Sequence, residues 1–140
     1  MILTERDQAR FWAKVSLPDG NGCMLWLGSR NAAGYGRLSV GNTVKRAHRV
    51  SCELAYGPIP DGLVVDHLCR VPACVAPRHL EAVTHAENTL RGMGPTAINA
   101  NKTHCNKGHE FTPENMYKRP DGERRCRACT LRAQKIRQAK

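Results

Sequence analysis

Residues 63–88 read LVVDHLCRVPACVAPRHLEAVTHAEN. Leu63 to Asp66 is a short β-branched run that predicts a strand, and Leu80 to Val83 predicts a second short extended piece. Thr84 and Glu87 then form a Thr-x-x-Glu capping box, which opens a helix carrying Asn88. The order strand, cysteine-bearing loop, strand, helix predicts a small α+β unit built around the loop. Within that loop Cys69, Cys74 and His79 supply three metal ligands at short spacing. Cys23 is the best fourth, because it precedes a strand candidate, Met24 to Leu27, that could return to the loop. A closed set of four is scaffold, and it leaves Asp66, His67 and Asn88 for other work. Asp66 and Asn88 can hold one hard cation through oxygen, and a neutral His67 can act as base. A structural hydrogen-bonded cluster is the competing reading of those three residues taken alone.

Working outward, Thr4 to Val15 predicts a helix capped by Thr4, with Phe11, Trp12 and Val15 apolar, stopped by Pro18 to Gly22. Tyr35 to Val40 and Val44 to Ala47 predict a hairpin. A three-residue Gly41-Asn42-Thr43 loop puts Leu38, Val40 and Val44 on one face and Arg37, Ser39 and Lys45 on the other. Ala47 to Tyr56 predicts a helix ended by Gly57-Pro58. On it Cys52 is the odd cysteine, expected to be a small buried apolar residue. Residues 92–103 lack periodicity and predict an extended linker. Beyond them Cys105-x3-His109 and Cys126-x2-Cys129 form two close ligand pairs, the pattern of a structural zinc site, with His104 as an alternative ligand. His85 is expected to be a solvated helix residue.

Composition agrees with metal as a staple. The chain has 140 residues, of which only 5% are aromatic, so its apolar core is thin. Seven cysteines and six histidines offer the replacement. No leader-like or membrane-length apolar run is present, so a cytosolic location is expected, where thiols stay reduced and favour zinc over disulfides. The net charge of +10 is concentrated in residues 91–140, which hold 12 of the Lys and Arg against 4 acidic residues. Such a tail attracts nucleic-acid phosphates. Candidate DNA contacts are Arg37, Lys45, His48, Arg49, Arg124, Arg125, Arg127 and Arg132. An RNA-binding zinc protein is a weaker reading, since no aromatic stacking platform is evident.

The segments Phe11-Trp12-Ala13-Lys14-Val15, Gly34-Tyr35-Gly36-Arg37-Leu38, Ala47-His48-Arg49, Tyr56-Gly57-Pro58-Ile59-Pro60, Asp66-His67-Leu68-Cys69 and His79-Leu80-Glu81 together resemble phage-type HNH endonucleases. The spacing His-x-Cys-x4-Cys-x4-His-x8-Asn is also similar to that of His-Cys box homing endonucleases. The resemblance implies a ββα-metal core with His67 as general base, Asp66 and Asn88 holding a catalytic Mg²⁺ or Mn²⁺, and two structural zinc ions. It implies a phage-encoded enzyme in the bacterial host cytoplasm that cuts double-stranded DNA to 5′-phosphate and 3′-hydroxyl ends. Expected boundaries are a nuclease domain at 1–91, a linker at 92–103 and a basic zinc-binding, DNA-contacting module at 104–140. A monomer would nick and a homodimer would cut both strands; homing, packaging-associated and restriction roles all fit. The alternative is a non-catalytic or degenerate zinc-bearing DNA-binding protein.

One position departs from the family pattern. The loop usually reads Cys-Val-Asn-Pro, whereas this chain has Cys74-Val75-Ala76-Pro77. An asparagine there can brace the loop by satisfying backbone groups, which alanine cannot do. The departure predicts weakened cleavage. Ala76→Asn is expected to raise the cleavage rate at unchanged DNA affinity, and equal single-turnover rates for the two forms would refute this.

Overall fold

The computed structural model describes residues 3–139, which cluster into two compact units, one ending at Arg91 and the next beginning at Gly92. The first unit runs α1 (Glu5–Trp12), β1 (Arg37–Val40), β2 (Thr43–Arg46), α2 (Ala47–Tyr56), β3 (Leu63–His67), a 3-10 turn (Pro77–His79), β4 (Leu80–Thr84) and α3 (His85–Arg91). The second runs α4 (Pro95–Asn101), β5 (Met116–Lys118), β6 (Arg124–Cys126) and α5 (Arg127–Gln138). The strands pair as three separate antiparallel hairpins, β1 with β2, β3 with β4 and β5 with β6. This is a mixed α+β architecture of short elements.

In the first unit α1 starts where Thr4 Oγ1 accepts from the Asp7 amide at 3.2 Å, and it buries Phe11. The Phe11 ring lies 5.3 Å from that of Trp26, and both are fully buried with Leu38, Ala47, Val50 and Val75. Gly36 is required beside this core. A Cβ there would sit 2.6 Å from Trp26 Cδ1 and 2.8 Å from Ala47 Cβ, so no larger residue fits without displacing the indole.

Residues Met24 to Leu27 do not form a strand. On one side Trp26 bridges Val15, and on the other the short cysteine loop offers only Ala73 to Val75, so pairing there stops at the bridge between Leu25 and Cys74. Two flanking bonds complete it, Trp26 N to Ala73 O at 2.8 Å and Val75 N to Met24 O at 2.7 Å. The expected return of this segment to the loop nevertheless occurs, and it carries Cys23 to Cys74.

The β1–β2 hairpin corrects the expected three-residue loop. Val40 pairs with Thr43, Ser39 with Val44, Leu38 with Lys45 and Arg37 with Arg46, so the turn is Gly41-Asn42 alone. Gly41, at φ +55, occupies the first central position with a positive φ that glycine adopts freely, and this shortens the turn. In this register Lys45 shares the inner face with buried Leu38. Val44 is 54% exposed on the outer face, beside Arg37, Ser39 and Arg46.

β3 and β4 pair in register from Leu63 with Thr84 to His67 with Leu80. Val65 and Leu80 bury Cys52 between them, as expected for an apolar thiol. The predicted capping box then starts α3. Thr84 N donates to Glu87 Oε2 at 3.0 Å, and Glu87 N donates back to Thr84 Oγ1 at 3.2 Å.

In the second unit the expected extended linker is interrupted by α4. Pro95 occupies the first helical turn, where its missing N–H costs nothing, and Ala97 is buried. Arg124 supplies the other end, donating to the carbonyls of Asn99 and Lys102. That contact crosses more than twenty residues of sequence and leaves no local periodicity. Asn115 ties the hairpin to α5, its Oδ1 accepting from the Ala128 amide at 3.1 Å and its Nδ2 donating to Glu110 O at 2.6 Å.

Candidate active site

Two cysteine–histidine clusters organise the units. In the first, ligand atoms of Cys23, Cys69, Cys74 and His79 all lie within 4.8 Å of one another. His79 Nδ1 is 3.4 Å from Cys23 Sγ and 3.6 Å from Cys74 Sγ. Sulfur and nitrogen bound to one tetrahedral zinc stand roughly 3.5 Å apart, so the cluster has the spacing of a closed zinc site. Burial, then hydrogen bonds to Cys69 and Cys74, push the Cys23 thiol up to about 12. Thiolates are therefore unstable there unless a cation compensates them. Asp19 aims the ligand, since its Oδ1 accepts from the Cys23 amide at 2.9 Å.

The second cluster, Cys105, His109, Cys126 and Cys129, meets the same criterion. Its His109 Nδ1 lies 3.4, 3.7 and 3.3 Å from the three sulfurs in chain order. His104 stays outside, with its Nδ1 against Thr103 Oγ1 at 2.9 Å. Both clusters could hold zinc.

Asp66 and His67 end β3 beside the first cluster and are both nearly buried, at 5% and 6% exposure. Successive strand residues point to opposite faces, and the two side chains accordingly meet different partners. His67 Nε2 is 3.0 Å from the carbonyl oxygen of Cys74. A carbonyl only accepts, so Nε2 carries the proton, and the neutral ring keeps its lone pair on Nδ1. Burial moves the His67 pKa below its ordinary value, overcoming the opposing pulls of the Cys74 carbonyl and Asp66. The ring is walled by His48 and Tyr35, with centroids 4.7 and 5.8 Å away.

Asp66 faces α3. Its Oδ1 accepts from Arg70 Nη1 at 2.9 Å, and its Oδ2 lies 3.8 Å from Arg91 Nη1. Oδ2 is buried and has no hydrogen-bond donor among the described residues. An orphaned carboxylate oxygen is a costly feature that a bound cation removes. Asn88 is the one residue of α3 that is not exposed, and it shares a helix face with Arg91 three positions on. The donor atoms that Asp66 and Asn88 offer a metal are oxygens, the kind that a hard divalent cation takes. No local pattern marks Arg70 and Arg91 as partners of Asp66; only the closure of the loop and helix around it brings them in.

The candidate DNA contacts divide by environment. Arg37 and Arg46 lie opposite each other on the outer hairpin face, and Arg46 stacks over Tyr35 at 5.5 Å. Lys45 and Arg49 are half-buried. His48 lies inside the unit, at 7% exposure, and its Nδ1 has no partner among the described residues. Burial, with the neighbouring His67, Arg49 and Arg46, pushes its imidazole down to about 3, so it is neutral. In the second unit Arg124 is committed to α4 and to the Phe111 ring, 5.1 Å away. Arg127 stacks on Tyr117 at 5.3 Å and Arg125 pairs with Glu123 at 2.9 Å. Arg132 is exposed on α5.

Against known proteins, a family profile described as HNH endonuclease matches residues 45–90, from β2 to α3 and therefore through the Asp66–His67 pair and three of the four residues of the first cluster, Cys69, Cys74 and His79. Protein 7.7 of Escherichia phage T7 is 40% identical over 67 residues, spanning 48% of this chain and 52% of that protein. The uncharacterized gene 5.3 protein of Enterobacteria phage T3 is 32% identical over 77 residues, spanning 50% of this chain and 76% of that protein. This chain thus spans about half the length of the T7 relative. No solved structure matches it. The motif, its placement around a metal-type loop and the phage relatives converge: the chain belongs to the phage-type HNH endonuclease family.

Proposed function

We propose that this protein is a divalent-metal-dependent endonuclease that hydrolyses double-stranded DNA to 5′-phosphate and 3′-hydroxyl ends. The observation that carries the reading is the placement of His67, its Nε2 donating to the Cys74 carbonyl, next to Asp66 with its unpartnered Oδ2. His67 Nδ1 takes the proton of the attacking water, and burial keeps the ring neutral and able to accept it. Asp66 and Asn88 hold Mg²⁺ or Mn²⁺, which supplies charge stabilisation at the scissile phosphate and the leaving 3′ oxygen. His48 and Tyr35 restrict the tilt of the His67 ring.

Zinc in both cysteine–histidine clusters is structural, since every ligand position in each is filled by the protein. DNA is held through phosphates. Arg37 and Arg46 are like charges placed directly across a hairpin, an arrangement that costs energy until a polyanion neutralises it. In the second unit Arg125, Arg127 and Arg132 offer further phosphate contacts, and Lys45 and Arg49 in the first unit and Arg124 in the second offer contacts from partly covered positions. A monomer nicks one strand, and the setting is the cytoplasm of an infected bacterium, in a homing or packaging-associated role. No helix among the described residues is long and apolar enough to cross a membrane.

Ala76 is the observation that favours a second reading, a degenerate DNA-binding module. It is 1% exposed and caps the 3-10 turn with no side-chain hydrogen bond.

Two measurements test the proposal. With Mg²⁺ the protein is expected to convert supercoiled plasmid to the nicked form, His67→Ala to lower the rate by about 10²-fold or more, and EDTA to abolish it. DNA binding without cleavage under these conditions would leave the non-catalytic module standing. Metal analysis of the purified protein is expected to return two zinc ions per chain. Cys23→Ser and Cys129→Ser should each lose one of them, and a wild-type content of one or none would overturn the architecture.

A further inference from the structure

Asp66, proposed above to hold the catalytic cation, already has a counter-ion. Arg70 Nη1 donates to its Oδ1 at 2.9 Å, and Arg70 Nη2 donates to the backbone carbonyl of Arg91 at 2.8 Å. The nearby Arg91 guanidinium hydrogen-bonds Glu81 Oε2 through Nη1 at 2.5 Å and stands at the longer distance of 3.8 Å from Asp66 Oδ2. Arg70 is also, among the described residues, the one non-glycine residue with positive φ, at +58. Side-chain-bearing residues rarely adopt that conformation, and they keep it where the surroundings impose it. Here the Arg70 amide donates to the His67 carbonyl at 3.0 Å, and Cys69 anchors the chain just before it. The resulting corner turns the guanidinium back onto the carboxylate of the strand it has just left. The Arg70 side chain is 48% exposed, against 5% for Asp66, so the pair sits at the rim with its cationic member outward.

This geometry sets two cations in competition for one carboxylate. A guanidinium bonded to Oδ1 neutralises the charge that attracts a divalent ion and repels that ion at short range. A DNA phosphate offers the guanidinium an equivalent two-oxygen acceptor, and arginine binds carboxylate and phosphate through the same fork. We propose that Arg70 couples DNA binding to divalent-metal binding. In the free protein it is the counter-ion of Asp66, and on DNA it exchanges that carboxylate for a phosphate oxygen and frees Asp66 for the cation. Only hydrogen bonds and ion pairs change partners. Linkage then requires DNA and metal to tighten each other's binding by the same factor. The inference rests on the nuclease reading, and it adds to that reading a reason for the cation to be taken up with substrate.

The test is a Mn²⁺ titration of the zinc-loaded protein, followed through the electron paramagnetic resonance signal of free Mn²⁺. It is run with and without a short DNA duplex, in a His67→Ala background so that the duplex stays intact. Duplex is expected to tighten Mn²⁺ binding by about tenfold or more, within the usual range of such couplings. Arg70→Asn removes the charge while keeping a residue that tolerates positive φ. It should bind Mn²⁺ about tenfold more tightly than its parent without DNA, with the gain from added duplex falling below about threefold. Arg70→Gly, the second neutral variant, should behave alike, and Arg70→Lys should keep more of the coupling than either. Unchanged or weaker Mn²⁺ binding by both neutral variants without DNA, at intact zinc content, would overturn the proposal while leaving plasmid cleavage by the wild type unaffected. Asp66→Asn distinguishes the other failure. It should lose the Mn²⁺ site with or without DNA, and undiminished binding would remove Asp66 from the metal site and with it this inference.

Discussion

The 3.0 Å contact between the His67 ring and the Cys74 carbonyl joins the scaffold to the chemistry. Cys74 is held from several directions. Its sulfur belongs to the four-ligand cluster, its backbone bridges Leu25, and its amide donates to Val71 O at 2.9 Å. A carbonyl fixed in this way can fix an imidazole in turn, choosing both its tautomer and its direction. The thin apolar core around Trp26 and Phe11 does not reach the His67 ring by itself. The cysteine loop does, through the carbonyl of Cys74.

Charge is arranged on the same principle. Asp66 is sunk between two guanidinium groups with one oxygen left orphaned, while Arg37 and Arg46 oppose each other across a hairpin. Each arrangement is unfavourable in isolation, and each would be relieved by a ligand of the right sign, a cation in the first case and a polyanion in the second. Strain of this kind is typical of sites organised for a partner that is absent during folding. Arg70, held at positive φ, is the guanidinium hydrogen-bonded to that carboxylate.

Much of the site could be read along the chain because its signals are local. The Thr84–Glu87 capping box, the Asp66–His67 strand end, the Cys69, Cys74 and His79 run and the pairs Cys105–His109 and Cys126–Cys129 depend on spacings of a few residues, and the structure contains each of them. Cys23 was reachable through the segment after it, although that segment makes two isolated bridges, to Val15 and to Cys74, and not a strand. The failures share a cause in long-range or backbone effects. α4 is held by Arg124, far along the chain, so residues 92–103 carry no periodic trace of it. The Gly41-Asn42 turn was decided by a glycine φ, against a register that grouped apolar side chains more neatly. His48, read as a candidate surface contact, lies against His67 because α2 turns it inward, and no local pattern marks that.

The central claim is that the cluster-bearing loop sets the proton arrangement of His67. The most direct measurement is a long-range ¹H–¹⁵N correlation spectrum of the histidine rings in the zinc-loaded protein near neutral pH. The expected spectrum is that of a neutral His67 ring protonated at Nε2, with slow exchange of that proton and an unprotonated Nδ1. A ring protonated at Nδ1 would contradict it, because the lone pair would then face the Cys74 carbonyl and no base would remain for the water.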